Sequence, residues 1–310
     1  MNAGEEATRI IWRFSDGRPG HDAQSRGLVT ALLDLGSFQC HDVQLPLAAG
    51  SYPKLLFGKA PELALLPRPN ILLGAGHATH LPMLLTKWAY KSIAIVLMRP
   101  SIPSCLFDFC LVPQHDNSKV SESIIATIGP LNCIEPGTEK DPQLGLLLIG
   151  GPSRHFGWQE AALGRQLQSI LSAQGRKWVL TDSPRTPKST REILENLAGD
   201  NVEYRPFQQG NTSITELMSR ASTIWVSEDS MSMIYEALSS GAAVGVLRIP
   251  ALGKNKLNGV AESLAKQQML TLFDNWQQQQ ALPAPKRVLN ESRRCAEEIL
   301  QRLNRDASGS

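Results

Sequence analysis

Cysteine is scarce and unpatterned in this chain. The five thiols, Cys40, Cys105, Cys110, Cys133 and Cys295, are odd in number and form no CxxC pair. That argues against a disulfide framework and against a zinc site; the thiols are expected to pack as small apolar side chains in a reducing compartment. Long hydrophobic runs are missing as well. The best window, Ser92–Met98, is strand-sized, far below the ~20 residues of a membrane helix. Met1–Thr8 carry two glutamates and no apolar stretch, so no secretory leader and a cytoplasmic location are expected, with peripheral contact at a membrane face left open. Charge of one sign is absent too: 31 Lys and Arg face 29 Asp and Glu, giving a net charge of +2. With no basic block and only 6% aromatics, a nucleic-acid partner is not expected. Neither GxxxxGK[ST] nor GxGxxG occurs, which removes the P-loop ATPase and dinucleotide dehydrogenase readings.

What is present is an ordinary soluble composition, 42% hydrophobic and 19% charged over 310 residues. This length suits two domains of about 150 residues each. Apolar runs alternate with Gly-rich turns and helical periodicities. Arg9–Phe14 reads as a strand, Asp22–Leu35 as a helix with Leu28, Leu32 and Leu35 on one face, and Asn70–Leu73, Ser92–Met98 and Phe107–Val112 as further strands. A polar segment, Glu135–Pro142, reads as a linker, after which the pattern restarts with a strand at Leu144–Ile149, a helix at Gln159–Gln174 and a strand at Lys177–Thr181. Val288–Leu303 reads as a terminal helix with Ala296, Ile299, Leu300 and Leu303 on one face. The expected fold class is α/β, with two Rossmann-like domains whose parallel sheets are wrapped by helices and face a ligand cleft. The boundaries are set at 1–137 and 138–310, with the terminal helix free to pack back on the first half.

Five turns carry candidate chemistry. The richest follows the apolar run Thr223–Val226: Ser227-Glu-Asp-Ser-Met-Ser-Met opens a helix that Gly241 stops. Hydroxyls and N–H groups at a helix start suit a phosphate. Ser230 and Ser232 are the candidate phosphate ligands, and Glu236, further into the helix, is placed to reach a ribose. The competing reading makes the serines a simple cap and Glu236 solvated. Gly150-Gly151-Pro152-Ser153 opens the second half directly after a strand, where glycines let a phosphate approach the backbone and Ser153 can donate. Arg185, in Asp182-Ser-Pro-Arg-Thr-Pro, can add charge to a diphosphate or remain a surface arginine. In the first half, Asp16-Gly17-Arg18-Pro19-Gly20-His21 follows the first strand as a glycine loop whose backbone can approach an anionic acceptor, with His21 a candidate general base; the competing reading is a tight turn with a surface histidine. Gly74-Ala75-Gly76-His77 has the same placement in the third unit and forms a second candidate acceptor wall. His77 and His80 lack a third ligand for a metal.

Taken in order, Ser15-Asp-Gly-Arg-Pro-Gly-His-Asp-Ala-Gln-Ser, Gly74-Ala-Gly-His-Ala-Thr, Leu106-Phe-Asp, Pro113-Gln-His-Asp, Gly150-Gly-Pro-Ser and Glu228-Asp-Ser-Met-Ser-Met-Ile-Tyr-Glu-Ala resemble the mitochondrial-fission "elongated mitochondria" family. It is named for a plant member and has many bacterial ones. The resemblance spans about residues 9 to 280. That family in turn is similar to the GT-B glycosyltransferases, among them the lipid-linked enzyme that adds N-acetylglucosamine during peptidoglycan synthesis. The resemblance implies a metal-independent glycosyltransferase with no cofactor beyond its nucleotide-sugar substrate. Its C-terminal half would bind the donor and its N-terminal half an acceptor from cell-envelope glycan or lipid. It places Glu236, in its E-A-L-x-x-G context, on the ribose and His21 at the base position; His77 stands where a basic residue is common in the second Gly-rich loop. Two rival readings accompany it: a non-catalytic adaptor, as the plant relative's link to fission machinery suggests, and a sugar-nucleotide epimerase of the same architecture.

Overall fold

The computed structural model describes residues 8–114, 122–173, 175–207, 214–253 and 259–308. The helix end expected at Gln174 and the His115–Asp116 part of the Pro113 motif lie outside them. The chain divides into two compact units, Met1–Cys133 with Glu291–Ser310, and Ile134–Asn290. The terminal helix therefore belongs to the first unit, and the boundary falls at 133/134 rather than 137/138.

In the first unit the order is β1 (Arg9–Ser15), α1 (Pro19–Leu35), β2 (Phe38–Gln44), α2 (Ser51–Leu55), β3 (Ile71–Ala75), α3 (His80–Tyr90), β4 (Ile93–Leu97), β5 (Phe109–Pro113) and β6 (Ile124–Thr127). These six strands form one sheet in the order β2-β1-β3-β4-β5-β6, each neighbouring pair parallel. Side chains alternate across a strand, and the apolar runs fill both faces. Ile11, Ile71, Leu73, Ile95 and Leu97 enter a core with α1. Trp12, Phe14, Leu72, Ala94 and Val96 enter the opposite core with Met83 and Leu84 of α3. This is why the strands read as continuous hydrophobic runs rather than alternating ones.

The second unit runs β7 (Asp141–Leu148), α4 (Glu160–Ala173), β8 (Lys177–Thr181), α5 (Lys188–Asn196), β9 (Val202–Arg205), α6 (Ile214–Arg220), β10 (Ala221–Ser227), α7 (Met231–Ser240), β11 (Ala243–Leu247), α8 (Val260–Lys266), β12 (Thr271–Leu272) and α9 (Phe273–Gln279). Its sheet order is β12-β11-β10-β7-β8-β9, again all parallel. Trp178, Trp225, Phe273 and Trp276 fill the core on one face with Leu163, Leu167 and Ile170 of α4. Lys140 reaches across the helix ends: its ammonium donates to the carbonyls of Met218, Ser219 and Ser240 at 3.2, 2.7 and 2.6 Å, capping α6 and α7 where their dipoles are negative. Burial pulls its pKa down to about 8.

The last helix, α10 (Glu291–Ser308), starts three residues later than its apolar periodicity predicts. It buries Cys295, Ala296 and Ile299 in the core that contains α1. The Glu291 carboxylate accepts from the Ile128 N–H at 2.9 Å and from Arg294 at 2.7 Å, which fixes the helix start.

Candidate functional site

In an open parallel sheet, ligands bind beyond the strand C-termini where the strand order reverses. Each unit has one such point. In the second unit the chain leaves β7 for β8 and β9 on one side, then crosses to β10 on the other. The loops after β7 and β10 flank the reversal, and they are Gly150–Ser153 and Glu228–Ser230. In the first unit β1 is followed by β2 on one side and β3 on the other. The loops at that reversal carry Asp16–His21 and Gly76–His77. The loops chosen from sequence thus converge at both points.

At the second unit's reversal an unforeseen residue holds the loops together. The Asp229 side chain is fully buried. Its Oδ2 accepts from the Gly151 N–H at 3.0 Å and from Arg185 Nη2 at 2.9 Å. Arg185 also donates to the Gly151 carbonyl at 2.7 Å, and the Gly150 N–H donates to Ser227 Oγ at 2.8 Å. A Cβ on Gly150 would lie 2.2 Å from Asp229 Oδ2, and one on Gly151 would lie 2.2 Å from the Arg185 carbonyl. The two glycines therefore make room for Asp229 and for the Arg185 backbone, and their N–H groups are already engaged. Ser153 Oγ accepts from the N–H groups of His155 and Phe156 at 3.2 Å each, closing the turn. Arg185 is not a loose surface arginine: it is fixed at the mouth of the reversal with 42% of its side chain exposed.

Beside this lock stands α7. Ser230 is its N-cap and makes no side-chain capping bond, so the first N–H groups of the helix keep their capacity for an outside acceptor. Ser232 is exposed and Glu236 half-buried. They are four apart and share one face of the helix. Glu236 has no hydrogen-bond or ion-pair partner among the described residues, and burial raises its pKa above the ordinary carboxylate value of 4.5. A desolvated carboxylate without a partner is costly, and hydroxyl donors from a ligand would relieve it. The helix ends at Gly241, whose φ of +81° gives the left-handed cap.

Next to the lock, a pocket of about 410 Å³ is lined by Phe156, Gln166, Glu228, Arg248 and Glu262. Glu228 pairs with Arg248 at 3.1 Å, and Arg248 with Glu262 at 2.7 Å. Burial pushes the Glu228 pKa up against the pull of Arg248.

In the first unit, His21 Nδ1 lies 2.9 Å from Asp16 Oδ2, and both side chains are largely buried. A Cβ on Gly76 would fall 2.3 Å from His21 Cε1. The imidazole thus rests against the backbone of the β3 loop, and Gly76 has a φ of +86°. Gly74 makes room for Thr79 and Met83. The Thr79 hydroxyl donates to the Gly76 carbonyl at 2.8 Å. Gly17 has a φ of +75°, and nothing would meet a Cβ on Gly20. Below the loop lies a partly buried network missed in the sequence, centred on the buried Arg13. Arg13 makes a two-pronged bond to Asp42 at 2.7 and 2.5 Å and reaches Asp22 at 3.0 Å. Ser15 Oγ donates to Asp22 at 2.7 Å. Burial works against the Asp22 carboxylate, but hydrogen bonds from Ser15 and Arg13 and the Arg13 charge hold its pKa below the ordinary value. His77 opens a short 3-10 turn, while His80 is buried beside Ser101 and Phe107. The two histidines are not a matched pair.

A family model described as mitochondrial fission ELM1 matches residues 19–303. The chain belongs to this family. An uncharacterised protein of Rickettsia prowazekii, RP120, is 24% identical over 85% of this chain and 90% of its own. Among solved structures, the UDP-GlcNAc 2-epimerase of Methanocaldococcus jannaschii superposes with a TM-score of 0.60 at 13% identity, over 96% of this chain and 99% of that one. Acinetobacter baumannii MurG does so with a TM-score of 0.51 at 13% identity, over 94% and 99%. At these identities the likeness concerns the fold: an α/β chain with two parallel six-stranded sheets, of the Rossmann-like two-domain GT-B type.

Proposed function

We propose that this ELM1-family chain binds a nucleoside diphosphate sugar in its second unit and transfers the sugar to an acceptor handled by the first. The observation that carries the reading is Glu236, an unpartnered, desolvated carboxylate two turns into a helix whose N-terminus flanks the sheet reversal. A ribose diol supplies the two hydroxyl donors that this carboxylate lacks. The diphosphate then falls at the start of α7, where N–H groups, Ser230 and Ser232 can donate to it. Arg185, already held at the mouth by Asp229, adds positive charge there. These groups would stabilise negative charge as it builds on the departing diphosphate. Gly150 and Gly151 act indirectly in this scheme, by admitting Asp229 and so placing Arg185. Ser153 keeps its hydroxyl hydrogen for a phosphate oxygen.

His21 is our candidate for the base that takes the acceptor proton. Asp16 on Nδ1 would fix the ring and leave Nε2 for the acceptor, the arrangement of a base held by an orienting carboxylate. The UDP-GlcNAc named for the superposed epimerase makes uridine diphosphate sugars the first donors to try. That likeness also supports epimerisation as the second reading. The two separate by product: incubation with UDP-GlcNAc alone yields an isomeric sugar nucleotide in an epimerase, and UDP only with an acceptor in a transferase. An adaptor without a donor site predicts no nucleotide binding at all. The test is a thermal-shift panel of UDP, GDP, ADP, CMP and their sugars, on the native chain and on Glu236→Gln. Stabilisation by one nucleotide class, lost in the variant, supports the proposal; no stabilisation by any of them overturns it.

A further inference from the structure

The first unit carries a second surface that the proposed reaction does not use. On α3, Leu81, Leu85 and Trp88 stand at i, i+4 and i+7 and so share one stripe. Leu81 and Trp88 are each 57% exposed. The end of α2 abuts the C-terminal end of this helix, because the Tyr90 hydroxyl donates to the Gly58 carbonyl at 3.1 Å. That contact sets Leu56 and Phe57, 42% and 72% exposed, beside it. On the other side Lys87 donates to the Leu106 carbonyl at 3.1 Å, bringing Leu106 to the same area. Exposed apolar side chains gathered in this way mark an interaction surface.

Its border is basic. Arg68 donates to the Tyr90 carbonyl at 2.8 Å. With Arg9 and Lys91 it lines a pocket of about 410 Å³, walled also by Tyr90 and Leu303. Among the described residues, no carboxylate pairs with any of these three cations. Lys54 and Lys59, both exposed, flank Phe57 in sequence. The nearby acids have partners: Asp108 pairs with Lys87 at 2.8 Å, and Glu62 accepts from Ser51 and feels the charge of Lys54, so the free positive charge is that of Arg9, Arg68 and Lys91.

An apolar stripe edged by unpaired cations matches the chemistry of an anionic bilayer surface, with apolar groups entering the headgroup–acyl boundary and basic groups meeting lipid phosphates. We propose that this face docks on an anionic membrane, Phe57, Leu81 and Trp88 inserting shallowly while Arg9, Arg68 and Lys91 hold a headgroup phosphate. No helix among the described residues is long and apolar enough to cross a membrane, so the contact is peripheral. It stands apart from the donor assignment and survives or fails without it.

The test is flotation of the full chain with vesicles of phosphatidylcholine alone or mixed with phosphatidylglycerol. Two variants accompany it, Phe57→Ser with Trp88→Ser, and Arg9→Gln with Arg68→Gln and Lys91→Gln. All five side chains are exposed or half-buried, and thermal melts report whether the variants keep the fold. The expected result is binding to the mixed vesicles only, released near ~1 M salt, where the screening length is about 3 Å. Each neutralised cation should weaken partition about fivefold, and the serine pair should also lose binding. Equal binding to neutral and anionic vesicles, native-like binding by both variants, or no binding at low salt would each overturn the proposal. The last outcome would favour an acidic protein as the partner.

Discussion

Replacing Glu236 by Gln should move the stability of the free protein and the effect of ligand in opposite directions. The carboxylate is desolvated and unpartnered, so its charge costs the folded state, as its raised pKa records. Gln keeps the shape and one acceptor oxygen but removes the charge. The free variant should therefore be as stable as the native chain or slightly more so. Ligand binding should suffer. Hydrogen bonds to a charged group contribute about 1.5–3 kcal/mol each, so loss of that charge should weaken nucleotide affinity about ten- to a hundredfold. At a nucleotide concentration of about 100 times the native dissociation constant, the native chain gains about 2.7 kcal/mol. A hundredfold weaker variant at the same concentration gains only about 0.4 kcal/mol. The pH dependence has a definite sign. A carboxyl whose pKa is raised on folding favours the folded state below 4.5, and that contribution is lost as pH rises through the raised value. A ribose diol needs the charged form, so native affinity should fall as pH drops into this window, with protons released on binding. Scanning calorimetry with and without nucleotide, across pH, reads all three effects. Equal ligand stabilisation in native and variant protein, or a variant clearly less stable without ligand, would refute the reasoning.

Three further outcomes are expected. Asp229→Ala removes the buried acceptor of Arg185 and of the Gly151 N–H and should cost about 1–3 kcal/mol in urea unfolding, mainly for the buried N–H left without its acceptor, with loss of any nucleotide-induced shift. Gly76→Ala forces a Cβ into the His21 ring at a φ of +86° and should cost about 1–3 kcal/mol, read as a lower melting temperature with a displaced His21 resonance. Lys140 has its pKa lowered on folding to about 8 from 10.5, so the unfolded chain binds more protons between these values and stability should climb with pH across that range. Lys140→Met should remove this climb. Near pH 7 the same variant leaves the Met218, Ser219 and Ser240 carbonyls without their donor, a loss of about 1–3 kcal/mol visible in chemical unfolding.

The two-sheet architecture could be read from the chain because parallel strands buried on both faces, such as Ile93–Leu97, stand out as short apolar runs before Gly-rich turns. The loops at the sheet reversals could be found for the same reason, since each follows such a run. Their internal wiring could not. Asp229 sits between a glutamate and a serine that look equally eligible, and its partners are 44 and 78 positions away. The glycines of Gly150-Gly151 therefore suggested an open phosphate cradle, whereas their space is taken by Asp229 and the Arg185 backbone. The Arg13–Asp42 pair hid for a related reason: an arginine inside an apolar strand shows no partner until β2 aligns Arg13 with Asp42 in register. β6 went unread because its four residues, Ile124–Thr127, are too few for periodicity to act on. The terminal helix showed its apolar face clearly, but its attachment to the first unit depends on long-range contacts such as that of Glu291 with the Ile128 N–H.

A nucleotide site at the start of α7 is tested most directly by amide hydrogen exchange with and without a saturating uridine diphosphate sugar. The expected result is slowed exchange at Met231, Ser232 and Met233, with little change in the first unit. Unchanged exchange at the start of α7 with every nucleotide sugar tried, or protection confined to other segments, would contradict it.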